Sequence, residues 1–262
     1  MQPLRDKKGF VSDMDGVIYH GDKLLPGAAE FVEWLRENHK EFLFLTNSSE
    51  RTPRELSEKL SRLGIDVDGS HFYTSALATA NFLQSQKPGC SAYVIGEAGL
   101  LNALYDAGIS MNNVNPDYVV VGETRSYSFE QIERATLLVH NGARLIGANP
   151  DTTGPTEKGI VPATGALIAP IEMATGKKAY FAGKPNPLMT RRAVKQLECL
   201  CCEAVIIGDR MDTDIIAGLE SEVDTVLVLS GVTSMNMLDN FAYRPNYIFS
   251  GLEELVAGLR RN

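Results

Sequence analysis

Two aspartates stand close together just after an apolar segment near the start of the chain. The sequence reads G-F-V-S-D-M-D-G-V, which places Asp13 and Asp15 directly after a predicted strand. Side chains two residues apart in extended backbone point to the same side, and loops at the carboxyl ends of parallel strands commonly form ligand sites. A divalent cation would relieve the repulsion between these carboxylates and favour ionised Asp13, which is a nucleophile. Asp15 could protonate a departing alkoxide and later activate water, while Gly16 permits the tight turn.

The tetrapeptide D-M-D-G does not establish this chemistry alone, because it also suits a solvated turn after a strand. The same charge spacing recurs in I-D-V-D-G, where Asp66 and Asp68 follow a predicted helix that ends at Gly64. No strand precedes that second pair, so we predict that it lies in a surface loop. The first pair therefore needs partners elsewhere in the chain.

Three later segments also place polar or charged residues after an apolar strand. F-L-F-L-T-N-S-S contains Thr46 and Asn47, which can donate hydrogen bonds to phosphate oxygens. Y-F-A-G-K-P-N-P places Lys184 where its charge can neutralise phosphate and the charge that develops on Asp13. A-V-I-I-G-D-R-M-D-T-D puts Asp209 at a strand end, where it can complete a Mg²⁺ site begun by Asp13. Four such segments in this order favour one shared site.

Each segment also has an ordinary structural explanation. A strand can simply end in a polar turn, and an isolated lysine is usually solvated at the surface. Asp212 and Asp214 follow Asp209 closely, and either could cap a helix as well as bind a metal. Both interpretations stay open for these two residues, and Asp209 is the better ligand candidate.

Short β-rich runs alternate with helical patterns along the chain, which is typical of an α/β protein with a mainly parallel sheet. We predict a catalytic core from residues 1–78 and 179–262, with a smaller α/β domain inserted at 79–178. Thr52, Pro53 and Glu55 are predicted to cap a helix. The other predicted elements are helices at 27–38, 100–107 and 129–141, and strands at 9–12, 42–45, 92–95, 118–121, 145–146, 180–182, 204–207, 225–229 and 247–249.

The composition narrows the class of partner. In 262 residues, 25 Lys and Arg against 33 Asp and Glu give a formal charge of -8, which opposes binding to nucleic acid polymers or anionic membranes. The first residues form neither a signal peptide nor a membrane span, so we expect a cytoplasmic protein. The cysteines lack the spacing of a zinc site, and we expect reduced thiols without a chemical role at positions 90, 199, 201 and 202.

The four segments resemble the haloacid dehalogenase superfamily of phosphatases, specifically its NagD-like branch. Shorter segments that share this resemblance are D-G-V-I-Y-H-G, P-G-A-A-E-F, F-Y-T-S-A, V-G-E-T-R-S-Y, A-N-P-D and L-V-L-S-G-V. The resemblance implies a Rossmann-like core with an α/β cap inserted between the second and third segments. It also implies Asp13 as nucleophile and metal ligand, Asp15 as general acid and base whose carbonyl binds Mg²⁺, and Asp209 as the remaining protein ligand. Thr46, Asn47 and Lys184 would hold the phosphate.

The implied reaction is in-line phosphoryl transfer to Asp13, followed by attack of water that Asp15 activates. The substrate would be a small soluble phosphomonoester. Nucleoside monophosphates or sugar phosphates are favoured, with pyridoxal phosphate, phosphoglycolate and glycerol phosphate as alternatives. Whether the protein forms a homo-oligomer is a question that the sequence leaves open.

Substrate contacts would come from the cap, where the sequence is least informative. Asn149, Asp151 and the loop toward Gly165 are candidates, but A-N-P-D equally suits a strand end with a proline-fixed turn. The run T-T-G-P-T-E-K-G in this loop departs from the NagD-like pattern. We therefore assign no catalytic residue in the cap.

Other functions on a similar fold are disfavoured. Dehalogenation of 2-haloacids requires neither an acid at the position of Asp15 nor a metal, so it does not account for these features of the sequence. A receiver module that stores phosphate on an aspartate would not need the inserted cap. A ligand-binding regulator without catalysis would not need Asp13, Asp15, Lys184 and Asp209 together.

Overall fold

Helices and strands alternate along the chain in the computed structural model, which describes residues 1–156 and 159–261. The described helices are α1 (Gln2–Arg5), α2 (Ala28–Glu37), α3 (Pro53–Arg62), α4 (Ser75–Gln86), α5 (Ala98–Asp106), α6 (Phe129–His140), α7 (Thr164–Thr175), α8 (Pro187–Gln196), α9 (Ile216–Glu220) and α10 (Leu252–Arg260). The described strands are β1 (Gly9–Ser12), β2 (Tyr19–His20), β3 (Lys23–Leu24), β4 (Glu41–Thr46), β5 (Phe72–Thr74), β6 (Ser91–Ile95), β7 (Ser110–Met111), β8 (Tyr118–Val121), β9 (Arg144–Gly147), β10 (Thr153–Thr156), β11 (Gly159–Pro162), β12 (Tyr180–Phe181), β13 (Ala204–Gly208), β14 (Asp224–Val228) and β15 (Tyr247–Phe249).

One compact unit contains Met1–Thr46, Leu56–Tyr73 and the described chain from Lys184 onward. Its sheet has the strand order β15-β14-β13-β1-β4-β5. Strand β1 pairs in parallel with β4 and β13, so that Ser12 lies between Phe44 and Ile207. All residues of β1 and β13 are buried, as expected for central strands covered on both faces. The parallel register brings the carboxyl ends of three strands to one edge of this sheet.

The core of this unit forms where α2 packs against β1. The Phe10 ring meets the rings of Phe31 and Trp34 edge to face, with centroids 6.2 and 5.6 Å apart. These rings are almost completely buried, and such edge-to-face pairs add to the stability gained from burial of their area. Side chains on one face of α2 therefore pack against the strand that precedes Asp13.

The second compact unit contains Asn47–Glu55 and Thr74–Gly183. Its sheet has the order β12-β9-β8-β6-β7, and each of these neighbouring pairs is parallel. Strands β10 and β11 pair in antiparallel orientation as a separate two-stranded sheet. Two clusters of buried residues cover the sheet, one around Leu104 and Tyr118 and one around Leu138 and Ile168. Within T-T-G-P-T-E-K-G, Glu157 and Lys158 lie outside the described residues.

The structure confirms the predicted α/β fold with mainly parallel sheets. The cap of α3 is also confirmed, because the Glu55 carboxylate accepts hydrogen bonds from the backbone and hydroxyl of Thr52, both at 2.8 Å. The assignment of strand 180–182 to the core sheet was wrong, since β12 pairs with β9 of the second unit. The predicted boundaries after residues 78 and 178 each lie five residues from the transitions at Tyr73 and Gly183. Among the described helices, none combines the length and apolar character that a membrane span requires.

Candidate active site

Carboxylates from two neighbouring strand ends meet at the edge of the first sheet. Asp13 follows β1, and its backbone N–H continues the ladder by donating to the Ile207 carbonyl at 2.8 Å. Asp209 follows β13, which is the partner strand of β1. Asp13, Asp209 and Asp214 each offer one carboxylate oxygen, and these three atoms lie within 4.8 Å of one another. The parallel register thus brings together Asp13 and Asp209, which lie far apart in the sequence.

Lys184 supplies the positive charge of this cluster. Its side chain is buried, and its Nζ lies 2.7 Å from both Asp13 Oδ1 and Asp214 Oδ1. The same Nζ donates to the Leu45 carbonyl of β4 at 3.2 Å. Each of these acceptors can take one of the three donors of an ammonium group, so the contacts fix the position of Nζ. The structure therefore places Lys184 beside Asp13, as the sequence predicted, and adds Asp214 as its second anionic partner.

Asp212 and Asp214 have different environments although both lie in the π-helical turn Met211–Ile215. Asp214 is completely buried, and its Oδ2 accepts a hydrogen bond from the Arg210 backbone at 3.1 Å. The Asp212 side chain is 57% exposed and forms an ion pair with the Arg210 side chain at 2.9 Å. The wide turn therefore directs Asp214 into the cluster and leaves Asp212 at the surface.

Asp209 has one oxygen engaged and one without a partner. Its Oδ2 accepts the Val232 backbone N–H at 2.7 Å, whereas its buried Oδ1 has no hydrogen-bond partner among the described residues. Gly16 packs directly against this carboxylate with a φ of +82°, and a Cβ there would come within 2.6 Å of Asp209 Oδ2. Only glycine combines that backbone conformation with this close approach. A buried carboxylate oxygen without a protein partner calls for an explanation, and a bound cation or water would supply one.

The electrostatics of the cluster reflect three carboxylates around one ammonium group. Burial raises the pKa of Asp13 to about 8; the Lys184 charge opposes this increase, and Asp214 and Asp209 reinforce it. Burial and the nearby Asp214 likewise raise the pKa of Asp209 to about 7. Burial would lower the pKa of Lys184, but the charges of Asp13 and Asp214 outweigh it, so the pKa is raised. The cluster has excess negative charge that either protons or a cation can neutralise.

These donors fit Mg²⁺, which prefers hard oxygen ligands. Asp13 and Asp209 contribute carboxylate oxygens from adjacent strand ends, and the unpartnered Oδ1 of Asp209 has the character of a ligand atom. Both oxygens of Asp214 already accept hydrogen bonds from protein donors. Asp214 is therefore better placed to hold Lys184 than to bind a metal directly.

Asp15 lies outside this three-carboxylate cluster and has a different setting. Its side chain is 46% exposed, and its Oδ1 lies 3.4 Å from His20 Nδ1. The turn after it is closed by a hydrogen bond from the Gly16 N–H to the Tyr19 carbonyl at 2.8 Å. Partial burial raises the pKa of Asp15, while His20 and Lys59 act in the opposite direction. A carboxyl group that keeps its proton more readily and reaches solvent suits an acid that protonates a leaving group.

Thr46 ends β4, and the next residue, Asn47, begins the part of the chain that belongs to the second unit. Asn47 Nδ2 donates to Asp151 Oδ2 at 2.8 Å. The carbonyl of Asn47 accepts from Asn149 Nδ2 at 2.7 Å and from Ser75 Oγ at 2.5 Å. Asn149 is fully buried and serves the fold of this segment, which favours the structural interpretation of A-N-P-D. The phosphate-binding roles of Thr46 and Asn47 stay predictions.

The second aspartate pair lies at the surface, as the sequence predicted. Asp66 and Asp68 are exposed, and Asp68 caps the short 3₁₀ helix Gly69–His71 by accepting the Ser70 N–H at 2.7 Å. The four cysteines carry free thiols, of which Cys90 is buried. Neither group has a place in the candidate site.

The sequence reasoning missed Glu123, a half-buried acid that follows β8 in the second unit. Its Oε2 accepts the backbone N–H of Ser49 at 2.8 Å and the Ser48 hydroxyl at 3.2 Å. Burial raises the pKa of Glu123, and these hydrogen bonds oppose the shift. The available signal was an acid after Gly122 at the end of a buried strand, the same pattern that marked Asp209 after Gly208.

Two protein-family models and several known proteins are similar to this chain. Residues 10–110 match a family model described as haloacid dehalogenase-like hydrolase, and residues 181–255 match one described as HAD-hydrolase-like. The chain is 46% identical to dihydroxyacetone phosphatase of Corynebacterium glutamicum over 94% of this chain and 90% of that protein. It is 36% identical to acid sugar phosphatase of Staphylococcus epidermidis, with 98% and 100% covered.

The ribonucleotide monophosphatase NagD of Escherichia coli is 43% identical over 95% of this chain and 98% of its own length. The solved structure of NagD from this organism superimposes with a TM-score of 0.90 and the same coverage. The fold, the sequence identity and the order of the four segments therefore all indicate the same family. The chain belongs to the haloacid dehalogenase-like hydrolase family, as a phosphatase of its NagD-like branch.

Proposed function

We propose that the protein is a Mg²⁺-dependent phosphomonoester hydrolase that forms an aspartyl phosphate on Asp13. The observation that carries this proposal is the buried cluster in which Lys184 contacts Asp13 while Asp209 presents an unpartnered carboxylate oxygen. Such a site combines an anionic nucleophile with fixed positive charge, and a phosphoryl group requires both.

The reaction has two displacements at phosphorus. A carboxylate oxygen of Asp13 attacks the phosphorus, the ester P–O bond breaks, and Asp15 gives its proton to the departing oxygen. Water then attacks the same phosphorus, its proton passes to Asp15, and the bond between phosphorus and Asp13 breaks. Both residues return to their starting states, and the products are the alcohol and inorganic phosphate.

The residues divide into metal ligands and phosphate ligands. Asp13, Asp209 and the Asp15 carbonyl would hold Mg²⁺, which would supply positive charge to the phosphoryl oxygens. Lys184, Thr46 and Asn47 would hold the phosphate, and Asp214 would orient Lys184 through their 2.7 Å contact. Asp15, which reaches solvent, would serve the leaving group rather than the metal-binding carboxylate cluster.

We infer that the substrates are small soluble phosphomonoesters, with nucleoside monophosphates and sugar phosphates first. The names of the relatives support this inference, because they refer to dihydroxyacetone, ribonucleotide monophosphates and acid sugars. Pyridoxal phosphate, phosphoglycolate and glycerol phosphate are the next candidates. Such metabolites fit a cytoplasmic enzyme with a net charge of -8 that does not act on nucleic acid polymers or membranes.

The test is phosphate release from a panel of these esters, with Mg²⁺ and then with a chelator. We expect turnover only with the metal, and a loss of about 10³-fold or more in kcat for Asp13→Asn. Asp68→Asn is the matched control, since Asp68 belongs to the exposed second pair and caps a 3₁₀ helix. Unchanged turnover in Asp13→Asn would refute the covalent route, and full activity with the chelator would refute the metal requirement.

A further inference from the structure

Glu123 holds the segment that follows Thr46 through several hydrogen bonds within the second unit. Its Oε2 accepts the Ser49 N–H at 2.8 Å, the Ser48 hydroxyl at 3.2 Å and the Ser49 hydroxyl at 3.4 Å. In return, the Glu123 N–H donates to Ser49 Oγ at 2.9 Å. One residue at the end of β8 therefore fixes both the backbone and the side chains of two consecutive residues.

The packing around these bonds is close. Ser49 is completely buried, and Gly122 lies against it. A Cβ on Gly122 would come within 2.7 Å of Ser49 Oγ. The next residue is held as well, because the Gly99 N–H donates to the Glu50 carbonyl at 3.0 Å. Close packing and hydrogen bonds within the second unit thus fix the position of the segment 47–50.

Asn47 is held from other directions. Asp151 accepts from its amide, while Asn149 and Ser75 donate to its carbonyl. With these groups fixed on one side and Ser49 fixed by Glu123 on the other, the Asn47 backbone has little freedom. Its amide is therefore oriented before any substrate binds, which is the condition for efficient binding and catalysis.

We propose that Glu123 is a positioning residue that fixes the segment 47–49 so that Asn47 can bind the phosphate of the substrate. The proposal rests on the proposed function, because it assigns Asn47 the phosphate-binding role described there. Glu123 would act through Ser48 and Ser49 and need not touch the substrate. Its loss should therefore weaken phosphate binding and leave the use of Mg²⁺ unchanged.

A double-mutant cycle on the full chain tests this link. Glu123→Ala and Asn47→Ala are made singly and together, with 4-nitrophenyl phosphate as substrate and inorganic phosphate as inhibitor. We expect Glu123→Ala to lower kcat/KM and to raise the inhibition constant of phosphate by about tenfold. In the Asn47→Ala background the same change should have an effect of less than about twofold, because the residue it positions is absent.

Two further variants make the result specific. Glu123→Gln keeps an oxygen acceptor for the Ser49 N–H, so it should recover part of the loss, and it carries the test if Glu123→Ala fails to fold. Glu97→Ala is the matched control, because the Glu97 carboxylate accepts hydrogen bonds from the Thr124 hydroxyl and the Arg125 backbone in the same unit. We expect this control to alter kcat/KM by less than about twofold.

Equal losses from Glu123→Ala in both backgrounds would overturn the proposal, as would an unchanged inhibition constant of phosphate. A changed Mg²⁺ requirement in Glu123→Ala would also contradict it. If the native protein released no phosphate at all, the proposed function itself would fail. Normal turnover without coupling between Glu123 and Asn47 would refute only this inference.

Discussion

Asp214 has both carboxylate oxygens engaged by protein donors, Lys184 Nζ and the Arg210 N–H. Its neighbour Asp212 is exposed, and its carboxylate pairs with the Arg210 side chain. We expect Asp214→Asn to lower kcat/KM by about 10²-fold, because Lys184 loses one of its two anionic partners and its position. Asp212→Asn should change kcat/KM by less than about threefold. Steady-state kinetics at saturating Mg²⁺ measure both effects.

The concentration of Mg²⁺ that gives half-maximal activity provides the control for Asp214. If Asp214 orients Lys184, this concentration should change much less than the Michaelis constant for the phosphoester. A large increase in the metal requirement with an unchanged Michaelis constant would show instead that Asp214 is a metal ligand.

Single residues could be predicted from the sequence when each followed a recognisable strand. Asp13, Lys184 and Asp209 all meet that condition, and the structure brings them together. The choice between Asp212 and Asp214 could not be predicted, because it depends on the π-helical winding of the turn that carries them. Glu123 was missed since its partner Ser49 lies 74 positions earlier in the chain.

Among the elements, the buried central strands were predicted well, whereas the strands of two residues were predicted poorly. β1, β8 and β13 are apolar runs that fill the middle of their sheets, so composition alone marks them. β12 has only two residues, and its sheet is decided by its register with Ile146 and Gly147 of β9. Such pairing depends on residues distant in sequence, and a local pattern cannot identify it.

The start of α3 follows the segment 47–51, and its cap was predicted from the sequence. Thr52 Oγ1 accepts the Glu55 N–H at 3.3 Å, and the Glu55 carboxylate accepts in return. We expect Thr52→Ala to lower the free energy of unfolding by about 1 kcal/mol, because the cap oxygen is lost. Denaturant unfolding, monitored by circular dichroism, measures this change.

Thr52→Ser is the control for the cap, because it keeps the oxygen and should retain most of the stability. The Michaelis constant should change by less than about twofold in Thr52→Ala, since Glu123 and Asn149 still hold the preceding segment. A tenfold increase in the Michaelis constant would show that the start of α3, rather than Glu123 and Asn149, positions Asn47.

At the scale of the whole molecule, each unit has its own sheet and its own buried clusters. From the alternation of strands and helices, the sequence analysis predicted a core and an inserted α/β domain. The boundaries were predicted less accurately, because no low-complexity linker separates the units and two of the transitions lie inside α3 and β5. The assignment of Asn47–Glu55 to the second unit depends on contacts with residues such as Glu123, which local sequence does not reveal.

Protons and Mg²⁺ should compete for the same carboxylates, which links the stability of the chain to pH. Asp13 and Asp209 have folded pKa values of about 8 and about 7, against an ordinary value of 3.8. At pH values between the ordinary pKa of 3.8 and the raised pKa of about 8, the metal-free folded protein binds more protons than the unfolded chain. Its free energy of unfolding therefore falls as pH rises through that window. Bound Mg²⁺ replaces the protons and favours the ionised carboxylates, so its contribution should grow over the same window.

We therefore expect the increase in Tm caused by about 5 mM Mg²⁺ to be several degrees larger at about pH 8.5 than at about pH 6. The reason is that Asp13 and Asp209 are protonated in the metal-free folded protein at the lower pH and must release protons before they bind a cation. Thermal unfolding at both pH values, with and without Mg²⁺, measures the difference. Asp209→Asn should reduce both the increase and its dependence on pH, whereas Asp68→Asn should leave them unchanged because Asp68 only caps a surface turn. An increase that is equal at the two pH values, or larger at the lower one, would mean that the cation binds away from this cluster.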